Sequence, residues 1–217
     1  MNITATPKYQ TLKQEIEQSN STPKELTLHL KDPHHEVVLD NCTFKLDFKK
    51  AKWRSMTMNT DHPLLRAIGR DDHILDAFGG LGKDGWIIAN QAKQVTTCEH
   101  QIVLFSILNQ AAQHHSLTNW KILHQDGHKL FDQNFDVIYL DPMFEHTNTA
   151  KPKIEMQVIR LLAHMLPETD WKKAYQCAKK RLIIKQNYKS PILGCLPKPS
   201  YQVTNGKKSR YDVYIKP

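Results

Sequence analysis

The sequence Tyr-Leu-Asp-Pro-Met-Phe at 139–144 places a carboxylate, a proline and an aromatic ring in succession. The Asp141 carboxylate and the Pro142 carbonyl can accept the two N–H groups of an exocyclic amine on a nucleobase, and Phe144 can stack on the base. Those bonds would draw the amine nitrogen towards tetrahedral geometry and aim its lone pair at an incoming methyl group. The alternative interpretation is an ordinary strand-ending Asp-Pro turn. We interpret Asp141, Pro142 and Phe144 as candidate catalytic residues.

A glycine-rich segment lies about 60 residues upstream. Gly80, Gly82 and Gly85 fit the spacing G-x-G-x-x-G, and Glu99 follows Gly80 by 19 residues. That spacing is typical of a nucleotide site, where glycines admit the ligand and an acidic residue binds a ribose. NAD and S-adenosylmethionine both fit it. Asp76, just before the glycines, favours S-adenosylmethionine, because a carboxylate repels a pyrophosphate and attracts an ammonium or a sulfonium.

The elements that must position these residues alternate between strands and helices from residue 73 onwards. We predict strands over 73–78, 95–99, 120–124, 135–140 and 181–185, and helices over 83–92, 100–115, 153–166 and 169–179. Asn205-Gly206, between strand-like runs at 201–204 and 211–215, predicts a hairpin. The pattern predicts an α/β, Rossmann-like fold with a mostly parallel sheet and a C-terminal antiparallel hairpin. The carboxyl ends of its strands would form the ligand crevice.

The first 71 residues have a different pattern. We predict a helix over 8–18, strands over 25–30, 36–40 and 42–48, and a short helix over 63–69. The sequence therefore predicts a small β-rich N-terminal subdomain over 1–71, followed by a Rossmann-like domain over 72–217.

Charge is unevenly distributed along the 217 residues, whose formal net charge is +8. Residues 71–147 carry 4 basic and 10 acidic side chains, whereas residues 148–217 carry 15 basic and 4 acidic ones. The acidic middle suits a small cationic ligand, and the basic tail, with a further basic run at 49–54, suits a polyanion such as RNA. A Lys-rich surface that serves solubility is the alternative.

Other features exclude several classes of protein. No stretch has the roughly 18 uncharged apolar residues of a membrane span, and the first residues lack the apolar core of a secretion signal. The four cysteines are far apart, and the 12 histidines show no metal-ligand spacing. We expect a cytoplasmic protein with reduced thiols and no metal. The oligomeric state stays open.

The glycine loop, the Leu-Asp-Pro-Met-Phe motif at 140–144 with His146, and the strand sequences near the C-terminus resemble a known family over residues 44–217. This family is the bacterial 16S ribosomal RNA guanine-N2 methyltransferases of the J type. The resemblance implies that S-adenosylmethionine is the cofactor and that 16S ribosomal RNA or the small ribosomal subunit is the partner. It places Asp141 at the reaction centre. It also implies further cofactor-site residues in the loop, after the second strand and beside the adenine: Lys83, Asp84, Glu99, His100, Asp126 and Gly127.

Two other functions remain open from the sequence. An adenine-N6 methyltransferase acting on DNA or RNA would use the same kind of carboxyl-Pro-x-aromatic site. An NAD-dependent oxidoreductase would explain the glycine loop but gives the Asp141 motif no role.

Overall fold

The computed structural model describes residues 1–19, 23–48, 62–114, 117–142, 153–162 and 169–217. The basic run at 49–54, Phe144 and His146 lie outside these residues. Within the described residues, no helix is both long and apolar enough to span a membrane.

The N-terminal residues form a four-stranded sheet in the order β1-β2-β3-β4. Its elements are β1 (Asn2–Ala5), α1 (Gln10–Gln18), β2 (Thr27–Leu30), β3 (Glu36–Leu39) and β4 (Cys42–Lys45). The last three strands pair antiparallel, as the alternating pattern predicts, and β1 pairs parallel with β2. Sequence analysis missed β1, because Ile3 is its one buried residue and its partner strand is distant in the chain.

The C-terminal part forms a seven-stranded sheet in the order β10-β11-β9-β8-β5-β6-β7. Its strands are β5 (His73–Asp76), β6 (Gln94–Glu99), β7 (Trp120–His124), β8 (Val137–Leu140), β9 (Arg181–Asn187), β10 (Tyr201–Asn205) and β11 (Ser209–Ile215). Neighbouring strands from β7 to β9 are parallel, and β11 runs antiparallel to both β9 and β10. This arrangement confirms the predicted α/β fold with its C-terminal hairpin.

The helices that connect these strands are shorter than the sequence pattern indicates. They are α2 (Lys83–Ala89), α3 (Ile102–Gln113), α4 (Ile154–Leu162) and α5 (Trp171–Cys177). The described part of α4 ends at Leu162, and the other differences are frayed ends of a few residues. The predicted helix over 63–69 is a 3-10 turn over Pro63–Ala67.

One hydrophobic core joins the two sheets. Phe48, just after β4, stacks on Trp86 of α2 at 5.7 Å between ring centroids and meets Trp120 of β7 edge-on at 5.4 Å. The same cluster of buried residues extends from Ile3 to Val213. Because the two sheets share this core, the division into a subdomain over 1–71 and a domain over 72–217 stays a prediction.

The order of connection reverses between β5 and β8. From β5 the chain proceeds outward to β6 and β7, then returns to β8 on the other side of β5. In open α/β sheets, ligands bind at the carboxyl ends of the strands beside such a reversal. The residues that follow β5, β6 and β8 therefore surround the candidate site.

Candidate active site

The glycine loop connects β5 to α2 and is held against the end of β6. The Gly79 N–H donates to the Cys98 carbonyl at 2.7 Å, and the Gly80 N–H donates to Glu99 Oε2 at 2.7 Å. Gly80 has a φ of +53° and Gly82 a φ of +67°, values that favour glycine. The loop thus turns tightly and presents its backbone to the cleft.

The structure separates the roles of Gly80 and Gly82. A Cβ on Gly80 would meet no atom within 4 Å, and Gly80 lines the cleft. A Cβ on Gly82 would lie 2.3 Å from Leu108 Cδ1 of α3, so this glycine faces the core. The small size of Gly82 therefore lets α3 pack under the loop, and its contact with the cofactor stays a prediction. Because Gly82 and Leu108 are far apart in the sequence, the sequence pattern does not reveal their contact.

A pocket beyond the end of β6 is suited to a nucleoside. Glu99 is buried, and its second oxygen accepts the Gln101 N–H at 2.7 Å. Both of its oxygens thus have fixed backbone donors, which orient the carboxylate where the fingerprint puts ribose hydroxyls. The His100 ring lies 3.4 Å from Glu99, and this contact raises the pKa of His100. Leu104 and Phe78 add apolar walls.

Asp126 and Gly127 form the far side of this pocket. Burial opposes ionisation of Asp126, but the ring and backbone N–H of His128, at 2.7 and 3.0 Å, hold the pKa of the carboxyl below its usual range. Gly127 packs so closely that a Cβ would lie 2.3 Å from the Ala77 carbonyl oxygen. The two residues therefore hold a 3-10 turn against the loop after β5, and their contact with the adenine stays a prediction.

Two carboxylates share one lysine at the centre of the cleft. Lys185 Nζ of β9 lies 2.6 Å from Asp84 Oδ2 and 2.7 Å from Asp141 Oδ2. The hydroxyl of the buried Tyr139 also donates to Asp84 Oδ2, at 2.6 Å. These charge-assisted bonds fix the Asp141 side chain beside the start of α2.

The shared lysine sets the charge of both acids. Burial opposes ionisation of Asp84, but the Lys185 ammonium and the Tyr139 hydroxyl outweigh it and keep the pKa of Asp84 below its usual range. Burial raises the pKa of Asp141 to about 6, with the Asp84 charge adding to the rise and Lys185 opposing it. Although burial disfavours the ammonium, the two acids hold the pKa of Lys185 well above its usual value. At neutral pH Asp141 is therefore mainly a carboxylate.

Asp76, at the end of β5, is a third acid of the cleft. It is 2% exposed and accepts the Thr97 hydroxyl at 3.0 Å. Burial and the nearby Asp84 charge raise the pKa of Asp76 to about 8. A cationic ligand would favour its ionised form, so the residue is suited to the amino group that the sequence interpretation assigned to it.

The remaining predicted residues differ in position. Pro142 lines the cleft beside Asp141. Lys83 lines it too, but its ammonium pairs with Glu155 of α4 at 3.1 Å. Its charge is thus directed at least partly to α4. Phe144 lies outside the described residues, so its predicted stacking role stays a prediction.

Sequence reasoning missed the role of Lys185 and Tyr139. Lys185 belongs to the basic tail that the sequence assigns to a polyanion, whereas in the structure its ammonium binds two carboxylates. The available signal was the pairing of β8 with β9, which sets Leu140 beside Ile184. The residues that follow, Asp141 and Lys185, then lie side by side.

The described residues fit S-adenosylmethionine. A cradle open at Gly80 lies between a buried acid suited to an ammonium and a buried acid suited to ribose hydroxyls. Asp141 lines both parts of the cleft and thus lies beside this cradle. Among the described residues, no group of three His, Cys, Asp or Glu side chains could hold a metal ion.

Comparisons with known proteins agree with this geometry. Residues 9–216 match the model of a family described as SAM-dependent methyltransferases, where SAM is S-adenosylmethionine. The chain is 32% identical over 212 residues to a ribosomal RNA small subunit methyltransferase J from Thioalkalivibrio sulfidiphilus, with 88% of this chain and 80% of that protein covered. A protein of the same name from Rhodopseudomonas palustris is 32% identical over 173 residues, covering 72% of this chain and 78% of its own.

A solved structure shows the same fold. The crystal structure of a SAM-dependent methyltransferase from Neisseria gonorrhoeae matches with a TM-score of 0.67 at 19% identity, covering 99% of this chain and 96% of that one. The family match covers nearly the whole chain, so it assigns the chain to that family. The chain belongs to the S-adenosylmethionine-dependent methyltransferases, in the family of the small-subunit ribosomal RNA methyltransferases J.

Proposed function

We propose that this enzyme methylates the exocyclic N2 amine of a specific guanine in 16S ribosomal RNA, in the cytoplasm, on free RNA or on the small ribosomal subunit. The observation that supports the proposal is the position of Asp141. Its side chain is 32% exposed, borders the cofactor cleft, and is followed by the Pro142 carbonyl. The relatives named above are methyltransferases of small-subunit ribosomal RNA.

The reaction needs an amine nitrogen with an available lone pair. The Asp141 carboxylate and the Pro142 carbonyl would accept the two N–H groups of the flipped base, which reduces delocalisation of the lone pair into the ring. S-adenosylmethionine supplies an electrophilic methyl group on a sulfonium, whose C–S bond breaks as the new N–C bond forms. The chain's contribution is mainly orientation and exclusion of water.

The buried charges would serve that orientation. Lys185 would hold the Asp141 carboxylate in place, and Asp84 would hold Lys185. After alkylation the amine is a strong acid, and the Asp141 carboxylate or water would take its proton. No separate base is required, so the pKa of Asp141 near 6 would serve hydrogen bonding rather than proton abstraction before transfer.

The test is single-turnover transfer of labelled methyl to small-subunit particles that lack the modification. We expect Asp141→Ala to reduce the rate by about 10²–10³, by analogy with loss of a well-placed donor in a dry active site. Asp141→Asn should retain part of the activity, because its amide oxygen still accepts a hydrogen bond. If Asp141 acted as an obligatory base, both variants would lose nearly all activity.

Analysis of the modified nucleoside tests the substrate. N2-methylguanosine is expected. Detection of N6-methyladenosine would instead identify adenine as the acceptor base. If no methyl group is transferred to ribosomal RNA, the proposal is refuted. Near-parental turnover by a folded Asp141→Ala would refute the end of β8 as the catalytic position.

A further inference from the structure

Two turns lie side by side at the carboxyl end of the large sheet. The turn 187–190 follows β9 and is closed by the Ser190 N–H donating to the Asn187 carbonyl at 3.0 Å. The turn 205–208 connects β10 to β11 and is closed by a longer bond of 3.4 Å. The Tyr188 N–H donates across to the Lys208 carbonyl at 3.2 Å, so the two turns form one surface. We call it the paired-turn surface.

Aromatic and basic side chains project from this surface. Tyr188 is 42% exposed, and Lys189, Lys207 and Lys208 are exposed as well. The sequence from 186 to 211 contains no Asp or Glu. An exposed aromatic ring among lysines without acidic neighbours in the sequence is the composition of surfaces that bind single-stranded nucleic acid.

The paired-turn surface borders the acceptor site. Asn187, Lys208 and Ser209 line the same cleft as Asp141 and Pro142. A strand whose base enters the cleft must continue over the rim, because its sugar–phosphate backbone stays outside. The nucleotides flanking the target would therefore meet these two turns.

A buried arginine keeps the first turn in place. Arg210 of β11 is 6% exposed, and its guanidinium donates to the carbonyls of Tyr188 and Ser190 at 3.0 and 2.6 Å. The buried Asp212 and Gln186 hold the guanidinium from the other side, at 2.8 and 2.7 Å. Because the turn is already ordered, binding does not incur the entropy of fixing it.

We infer that the paired-turn surface binds the RNA strand next to the methylated nucleotide, with Tyr188 stacking on a flanking base and Lys189 and Lys207 contacting phosphates. This inference rests on the proposed function and specifies where the RNA strand lies. It favours RNA over a protein partner, because the lysines have no acidic neighbours in the sequence and the exposed ring lies at the rim of the base-accepting cleft.

The experiment measures the dissociation constant for unmodified small-subunit ribosomal RNA as a function of salt. We expect Tyr188→Ala to weaken binding about 5- to 150-fold, the measured range for loss of one base–aromatic stack, and Tyr188→Phe to retain affinity. The double variant Lys189→Gln/Lys207→Gln should reduce the slope of log K against log salt by about 1.4, at about 0.7 per single-strand phosphate contact.

Matched controls lie at the opposite end of the sheet. Tyr201 is 36% exposed and begins β10, and Lys93 and Lys179 are exposed just before β6 and β9. Tyr201→Ala and Lys93→Gln/Lys179→Gln should leave affinity and slope at parental values. Calorimetry with S-adenosylhomocysteine should give parental affinity for every variant, which shows that the cofactor site is intact.

The outcomes separate the inference from the proposed function. If the parent methylates ribosomal RNA but the paired-turn variants bind it as the controls do, the inference is refuted and the proposed function stands. Variants that lose affinity for assembled subunits but not for naked RNA would also refute it, since the surface would then contact protein. A parent that neither binds nor methylates this RNA refutes both.

Discussion

Replacing Lys185 by methionine would test the electrostatics of the catalytic cleft. The bonds of 2.6 and 2.7 Å from one nitrogen mean that the two oxygens of Asp84 and Asp141 cannot be more than about 5.3 Å apart. Methionine fills a similar volume without charge, so Lys185→Met leaves two carboxylates facing each other. Like charges at this distance repel by about 3 kcal/mol at an effective dielectric constant of about 20.

That repulsion already contributes to the pKa of Asp141 in the parent, where Lys185 opposes it. At 2.7 Å the lysine supplies about 6 kcal/mol of attraction at the same dielectric constant, and its loss should raise the pKa of Asp141 from about 6 to about 8 or above. The parental Asp141 is about 90% ionised at pH 7, and the variant would be about 10% ionised. We expect single-turnover methyl transfer by Lys185→Met to fall about tenfold or more at pH 7 and to recover partly above pH 8.

The same substitution should change how stability depends on pH. A carboxyl whose pKa in the folded state exceeds its unfolded value holds a proton that unfolding releases. Its contribution is present below the unfolded pKa near 4 and is lost as pH rises through the folded pKa. The melting temperature of Lys185→Met should therefore decrease more steeply than the parental one between about pH 5 and pH 8.

A second substitution identifies repulsion as the cause. Asp84→Asn in the Lys185→Met background removes the opposing charge, so the acidic limb of the rate profile should move back towards lower pH whatever the absolute rate. Lys185→Arg keeps the cation and should keep the limb near the parental position. A parental pH profile in folded Lys185→Met would refute the reasoning, because Asp141 would then keep its charge without the lysine.

Two further predictions concern the loop and its acid. Gly82→Ala should destabilise the fold by about 2–4 kcal/mol, because it adds left-handed strain and a clash with Leu108. Gly80→Ala should destabilise the fold by only about 1 kcal/mol but weaken S-adenosylhomocysteine binding. Thermal melts and calorimetry check both variants, and equal melting temperatures would contradict the packing role of Gly82. Asp76→Asn should raise the melting temperature at pH 8 by at least about 2 °C, because burying this acid disfavours its charge, while weakening cofactor binding; an unchanged cofactor affinity would remove Asp76 from the site.

Local patterns were sufficient to predict most of the large sheet. The strand at β5, the glycines after it and the end of β8 are each visible within about ten residues of sequence, because buried parallel strands are short apolar runs. The Asn-Gly turn likewise predicted the final hairpin, and the pairing of Asn205 with Ser209 agrees. The glycines after β5 and the end of β8 meet at one edge of the sheet because strand–helix–strand connections have a fixed handedness.

The contacts that assign individual roles were not visible in the sequence. Gly82 has the spacing of a ligand-contacting glycine, but the direction of its missing Cβ depends on the packing of α3. Lys185 has the pattern of a solvent-facing residue at a strand end, and its two acidic partners come from separate elements. Such contacts depend on the three-dimensional packing of distant segments, which a one-dimensional pattern does not record.

The separation of charge along the sequence has a counterpart on the two sides of one cleft. Acids from residues 71–147, among them Asp76, Asp84 and Asp141, lie on its floor, and burial raises the pKa of Asp76 there to about 8. Lys208, from the basic tail, lies on its rim. An acidic floor suits the cationic cofactor, and a basic rim suits a polyanionic substrate. Binding of the cofactor would lessen the mutual repulsion of the acids, so the charge pattern that is costly in the free enzyme would be offset in the complex.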